Sequence, residues 1–176
     1  MPADFKQLEE FQKKLKRCQE DVPKLAIDTN KDIAAMFLSY TIDLTPVGQG
    51  TFDEEGNRIK QGGTLRRGWT AKTHAEAEKG SGAGENPQTY AESLDVNKNG
   101  TNYILDVINP VEYALYVEKG YRQKKGQYVP ALGKRLTGRV IPGRHMCRDG
   151  KNLTEQQVPK VINRNITKFM REHDLS

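Results

Sequence analysis

A chain of 176 residues has room for one domain and a real core, yet only 35% of this one is hydrophobic and 29% is charged, so part of it is expected to be looped or buried only against partners. Its net charge of +5 is local: Lys119 to Lys151 holds ten Lys or Arg against one acid, Asp149, which leaves the rest of the chain net acidic. Cys18 and Cys147 lie far apart with no CxxC or Cys/His cluster, no apolar run is long enough to span a bilayer, and the charged start is unlike a signal peptide, so no metal, cofactor or disulfide framework is expected, and the cytoplasm is the expected compartment.

From Asp4, the residues Leu8, Phe11, Leu15, Cys18 and Val22 recur every three or four positions among Lys, Glu and Gln, which predicts a solvated helix with one narrow apolar stripe. Pro23 is expected to interrupt it. A second helix is predicted from about Lys24 to Leu44, with Ala26, Ile33, Met36, Phe37, Tyr40 and Leu44 facing inward and Thr45–Pro46 closing it. Val47 to Gly63 reads as a loop, within which Phe52 to Lys60 has the turn-forming centre of a small hairpin. Thr64 to Thr73 brings Leu65 and Trp69 to the core, first as a turn of helix and then as a strand. His74 to Thr89, rich in glycine and small residues, reads as a mobile loop or one fixed by a neighbour.

Tyr90 to Val96 is predicted as a strand, turned by Asn97 to Gly100 onto Thr101 to Asn109 as an antiparallel hairpin. Asn109–Pro110 stops it, because proline fixes φ and has no N–H to donate. Val111 to Lys119 follows as a short helix, with Tyr113, Ala114, Tyr116 and Val117 at spacings of three and four and Gly120 as its cap. The basic stretch reads as a third mobile loop, and the last helix is predicted over Lys151 to Leu175, starting at Leu153 or Thr154, with Val158, Val161, Ile162, Ile166, Phe169 and Met170 inward. The sum is one α+β domain: N-terminal helices, a small antiparallel β-sheet with long loops, a short helix after the central hairpin, and a C-terminal helix. Residues 1–22 form a peripheral helix, and 23–176 the core, with mobile loops at 47–63, 74–89 and 121–139.

Four motifs in order carry a resemblance: IDLTPV from Ile42, GGTLRRGW from Gly62, INPVEYALYVEKGYR from Ile108 and VIPGRHM from Val140, followed by the terminal helix. Together they resemble the tail-component family of long-tailed double-stranded DNA phages, over roughly Asp28 to the C-terminus. Gly48 to Gln61 stands as a loop insertion between two motifs that the family usually keeps nearly contiguous, and Met1 to Glu20 lies outside the clearest likeness. The resemblance implies a virion protein at the head–tail junction, completing the tail or joining it to the head as a ring subunit, with a tail-terminator or head-closure ring protein as the alternative and six copies the number expected at a neck. It implies as partners the chain itself and adjacent neck, head-closure, tail-terminator or tail-tube proteins. Its motif core would be Leu65, Trp69, Tyr113, Ala114, Tyr116, Val117, Gly120, Pro142 and Gly143.

Other readings of these residues stand beside that one. Trp69, Tyr113 and Tyr116 could line a pocket, but their spacing favours core. Arg66 and Arg67 could hold phosphate at a helix start, although a solvated pair, or an ion pair with Glu112 or Glu118, suits them better. One His and one Cys, at 145 and 147, make neither a tetrahedral site nor an oriented base. The basic residues Arg122, Lys124, Lys125, Lys134, Arg135, Arg139 and Arg144 have two open readings: a loop docking onto an acidic neighbour, or one facing the channel and meeting genomic phosphates without reading sequence. A stand-alone nucleic-acid binder would need aromatics among these charges, and only Tyr121 and Tyr128 are there. No P-loop, GxSxG, HExxH or framed carboxylate pair points to an enzyme.

Overall fold

A computed structural model describes residues 5–48, 50–53, 55–60, 62–80, 84–130 and 133–175. Two long helices form its spine, α1 (Phe5–Leu44) and α6 (Met146–Glu172). They run antiparallel, since Gly150 lies against Thr41, Asn165 reaches Thr29 and Asp32, and His173 reaches Asp21. The interruption expected at Pro23 does not occur. Proline removes one hydrogen-bond donor, but α1 continues through it, and packing of its second half onto α6 sustains the helix.

The two faces that meet are built largely from small and polar residues. On α6 the buried positions are Met146, Gly150, Thr154, Val161 and Asn165, whereas Ile162 and Ile166, expected to face inward, are exposed. A side chain at Gly150 would collide with Thr41, so glycine lets the two axes approach there. The helix also begins several residues earlier than expected, at Met146, because Glu118 binds its first amides and Gly150 is a packing position inside its first turns.

Between the long helices come β1 (Thr51–Phe52) and β2 (Arg58–Lys60), α2 (Thr64–Arg67), a 3-10 turn (Gly68–Thr70), α3 (His74–Lys79) and α4 (Pro87–Ser93). The small hairpin over β1 and β2 is present, closed by Asp53 accepting from the Asn57 and Gly56 amides. The segment after Gly68 is a 3-10 turn where a strand was expected. The loop expected over 74–89 instead contains α3 and the start of α4, each with a readable N-terminal signal. Thr73 and Glu76 form a reciprocal capping box on α3, while Asn86 caps α4 ahead of Pro87. Residues 81–83 of that loop lie outside the described ones.

Helix α4 also takes over the strand expected at 90–96. The hairpin that remains is short: β3 (Asn97–Asn99) pairs with β4 (Asn102–Ile104) about a Gly100–Thr101 turn, in register Asn97 to Ile104. Next come α5 (Ala114–Lys119), β5 (Gly120–Arg122), β6 (Tyr128–Val129), β7 (Lys134–Arg135) and β8 (Val140–Pro142). The β structure is small and antiparallel, in four two-stranded pairs among the described residues, so the chain is α+β. Leu38, Ala34, Ala35 and Ile42 of α1 meet Leu65, Trp69, Ala71, Ala77, Tyr90, Ala91, Val111 and Met146 in one core. Phe37 stands edge-on to Trp69 at 6.2 Å, a favoured geometry for two rings.

Candidate assembly surface

The motif residues are partners of one another. Thr45 ends the α1 motif, donates its hydroxyl to the Thr41 carbonyl at 2.6 Å and accepts from Trp69 Nε1 at 2.8 Å, so the buried indole N–H is satisfied. Asn109 donates to the Leu65 carbonyl at 2.9 Å and accepts from the Val111 amide at 3.1 Å. It lies so close to Gly68 that no side chain fits there. Leu65 and Trp69 are both buried in the core.

Arg67 departs from expectation. Its side chain is buried, with 2% of the residue exposed, and among the described residues it pairs with no acid. Nε donates to the Ala77 carbonyl and Nη1 to the Gly62 carbonyl, both at 2.8 Å, with Thr64 Oγ1 near Nη2. A cation surrounded by carbonyl dipoles fastens α3 to α2, and neither Glu112 nor Glu118 takes part. Arg66 reaches the Asp43 carbonyl at 3.3 Å.

Glu118 has a different role. Its carboxylate accepts the Cys147 amide at 2.9 Å and the Arg148 amide at 3.2 Å, capping the N-terminus of α6 where unpaired amides and the helix dipole favour a negative charge. The backbone secures the same junction: Arg144 N donates to the Val117 carbonyl and His145 N to that of Glu118. Gly120, at φ 76, and Gly143 pack backbone to backbone, so a side chain on either would strike the other strand. His145, at φ 52, precedes the helix as its N-cap. Burial, then Glu118, push the Cys147 thiol up, away from thiolate reactivity.

Tyr113 and Tyr116, expected in the core, are exposed, and Pro142 is exposed as well. Only Ala114 and Val117 of α5 turn toward the core. One turn and a half of helix has room for just one inward face, and the motif's tyrosines point the other way. Tyr116 meets Tyr121 edge-on at 5.9 Å, forming an aromatic pair at the foot of β5.

The basic stretch, expected as a mobile loop, forms a two-stranded ribbon. β5 pairs with β8, with Arg122 opposite Val140, and Gln123 N donates to the Arg139 carbonyl beyond it. β6 pairs with β7, with Tyr128 opposite Arg135. Between the two ladders Leu136 bonds to both Gly126 and Gln127, so one extra residue sits on the first strand. Gly126, at φ 82, is the residue that a bulge joined to a tight turn requires.

Arg122, Lys124, Lys125, Lys134, Arg135 and Arg139 are all exposed on this ribbon, with Arg144 exposed at its base. Among the described residues none of the seven has a carboxylate partner, and none from 121 to 142 is buried. Apolar side chains lie among the charges: Tyr121, Tyr128 and Val140 are exposed, and Arg135 stands 6.0 Å over the Tyr128 ring.

A cleft of about 450 Å³ between α1, α4 and α6 is lined by charges of both signs, several already matched. Asp32 takes Arg164 at 2.9 Å, and Lys31 Nζ donates to the Glu92 carbonyl. His173 bridges the Phe169 carbonyl and Asp21, which raise its pKa in that order. Among the described residues no cluster of His, Cys, Asp or Glu has the makings of a metal site, and no helix is long and apolar enough to cross a membrane.

No curated protein and no solved structure was found to match the chain. A family model does match, over residues 9–120, described as "Bacteriophage HK97-gp10, putative tail-component". That span takes in most of α1, which the sequence motifs alone had left partly outside, and runs through the Thr45–Trp69–Asn109 framework to Gly120. On a match covering more than half of its length, the chain belongs to the HK97-gp10-like family of bacteriophage tail components, structural proteins of the virion.

Proposed function

We propose that this tail component works at the head–tail junction, completing the tail or joining it to the head as one subunit of a ring, with six copies expected. The observation that carries this reading is the ribbon over 120–142. An isolated two-stranded hairpin is at best marginally stable in water, yet this one projects cationic and apolar side chains with no buried residue among its described ones. Such an element gains its stabilising contacts from other chains. Contacts between unlike patches close into a ring when the rotation fits, and they also account for a chain so poor in apolar residues.

The function rests on assembly and docking. Its partners are further copies of the chain and the adjoining neck, head-closure, tail-terminator or tail-tube proteins, with genomic DNA passing through the lumen. Electron microscopy of purified virions carrying a label on this chain tests the position. A single labelled collar between head and tail is expected. Label along the tail tube, or none on mature particles, overturns the junction reading.

A further inference from the structure

We propose that the 120–142 ribbon is an intersubunit arm that docks on the acidic α3–α4 face of a second copy of this chain. The inference rests on the ring reading and names the contact that closes it. Charge supplies the first argument. The ribbon holds six cations and no acid, whereas residues 74–96 hold Glu76, Glu78, Glu85, Glu92 and Asp95 against Lys79 alone. Glu76 accepts from the Lys72 and Thr73 amides and the Glu85 amide donates to Thr70 Oγ1, so both acidic residues border the 70–73 segment, and both raise the pKa of the Tyr90 hydroxyl behind burial as the main cause.

Reach supplies the second. Strands rise roughly 3.3 Å per residue, so arms of about ten residues, shortened by the turn at Lys124–Gln127, extend on the order of 20 Å, enough to leave one subunit and reach the next. Within its own subunit the ribbon's substantial packing is that of β5 on α5.

Composition supplies the third and decides between partners. Duplex DNA would engage the cations through its phosphates but offers no surface for the exposed Tyr121, Tyr128 and Val140 that stand among them. A protein face receives both. Next to α3 lies a recess of about 480 Å³, its walls supplied by Val47, Leu65, Tyr113 and Val117 with His74 and Glu78 at α3. That combination of apolar wall and carboxylate complements the ribbon's mixture of ring and cation.

The test is a charge swap on the full chain, read as mass by light scattering in low salt. One variant carries Lys124→Glu, Lys125→Glu, Lys134→Glu and Arg135→Glu. A second carries Glu78→Lys, Glu85→Lys and Asp95→Lys, and a third carries both sets. The wild type is expected to form oligomers, each single set to fall to the 19.9 kDa monomer, and the combined variant, or a mixture of the two single sets, to recover the oligomer. Recovery in the combined variant also shows that loss in the single sets is not misfolding. If the ribbon set still assembles, the arm is not the contact and the proposal fails while the ring reading stands. If the wild type is a monomer at every concentration, self-docking and the proposal fail together. If the ribbon set assembles but loses a salt-sensitive DNA shift that the wild type shows, the arm belongs to DNA and the proposal is overturned.

Discussion

At the scale of single residues, the motifs work as mutual hydrogen-bond partners, and Glu118 illustrates how. Sequence alone made it an ion-pair candidate for Arg66 or Arg67; the fold uses it to bind two amides of a helix that begins 28 residues later. The Val-Glu-Lys-Gly segment and the Pro-Gly-Arg-His-Met segment are thereby two halves of one joint. Glu118→Gln keeps the shape and removes the charge, so a helix cap and its dipole contact weaken by about 1 kcal/mol. The same change lowers the Cys147 thiol pKa, because Glu118 is the second cause of its elevation, while burial, the first, persists. Thiol alkylation followed against pH, alongside a urea midpoint, checks both. An unmoved thiol titration would mean that the carboxylate is not at the helix end in solution.

At the scale of elements, the sequence was most legible where a repeat period or a local signal governs structure. The long N-terminal helix and the small hairpin around Gly56 are of that kind. It misled where tertiary packing overrides a local signal: Pro23 stays helical, α6 begins at Met146 and not at Leu153 or Thr154, and Tyr113 and Tyr116 face solvent. The capping box at Thr73 and Glu76 and the Asn86–Pro87 pair were written in the chain, but glycine-rich neighbours disguised them as loop. The pairing of the basic ribbon is non-local, residue 120 with residue 142, and hydrophobic periodicity carries no trace of such a register.

Gly150 is the sharpest case at this scale. Alanine is the better helix former by about 1 kcal/mol, yet overpacking costs about 1–3 kcal/mol. Gly150→Ala is therefore expected to lower the thermal midpoint, by forcing α6 away from Thr41. Among the described residues the buried Thr41 hydroxyl has no hydrogen-bond partner, so its removal costs little. Thr41→Ala in the same chain should recover part of the loss, and strict additivity of the two changes would refute the contact.

At the scale of the whole molecule, the chain divides into a body held by the α1–α6 spine and an arm that the body does not cover. Gln123 and Arg139 already bond across the ribbon, so replacing residues 124–138 with Asn-Gly should close it into a short hairpin without disturbing the core. Circular dichroism is expected to show an unchanged melting midpoint, while light scattering shows loss of oligomers. A body that unfolds without its arm would make the ribbon part of the fold, and the division would be wrong.

α1 extends past the end of its partner helix. Lys14 pairs with Asp174, just past the end of α6, and residues 5–13 continue for about 14 Å beyond it at 1.5 Å per residue, with Leu8 52% and Phe11 49% exposed along one side. Pro23 leaves one rung of the helix unbonded between that overhang and the half anchored in the core, making it the easiest place for the rod to flex. The outer half is itself tied down by Asp21 on His173 and Lys14 on Asp174, so a pull on the N-terminal turns passes through those two contacts to the end of α6 before it reaches the inner half, locked against Gly150.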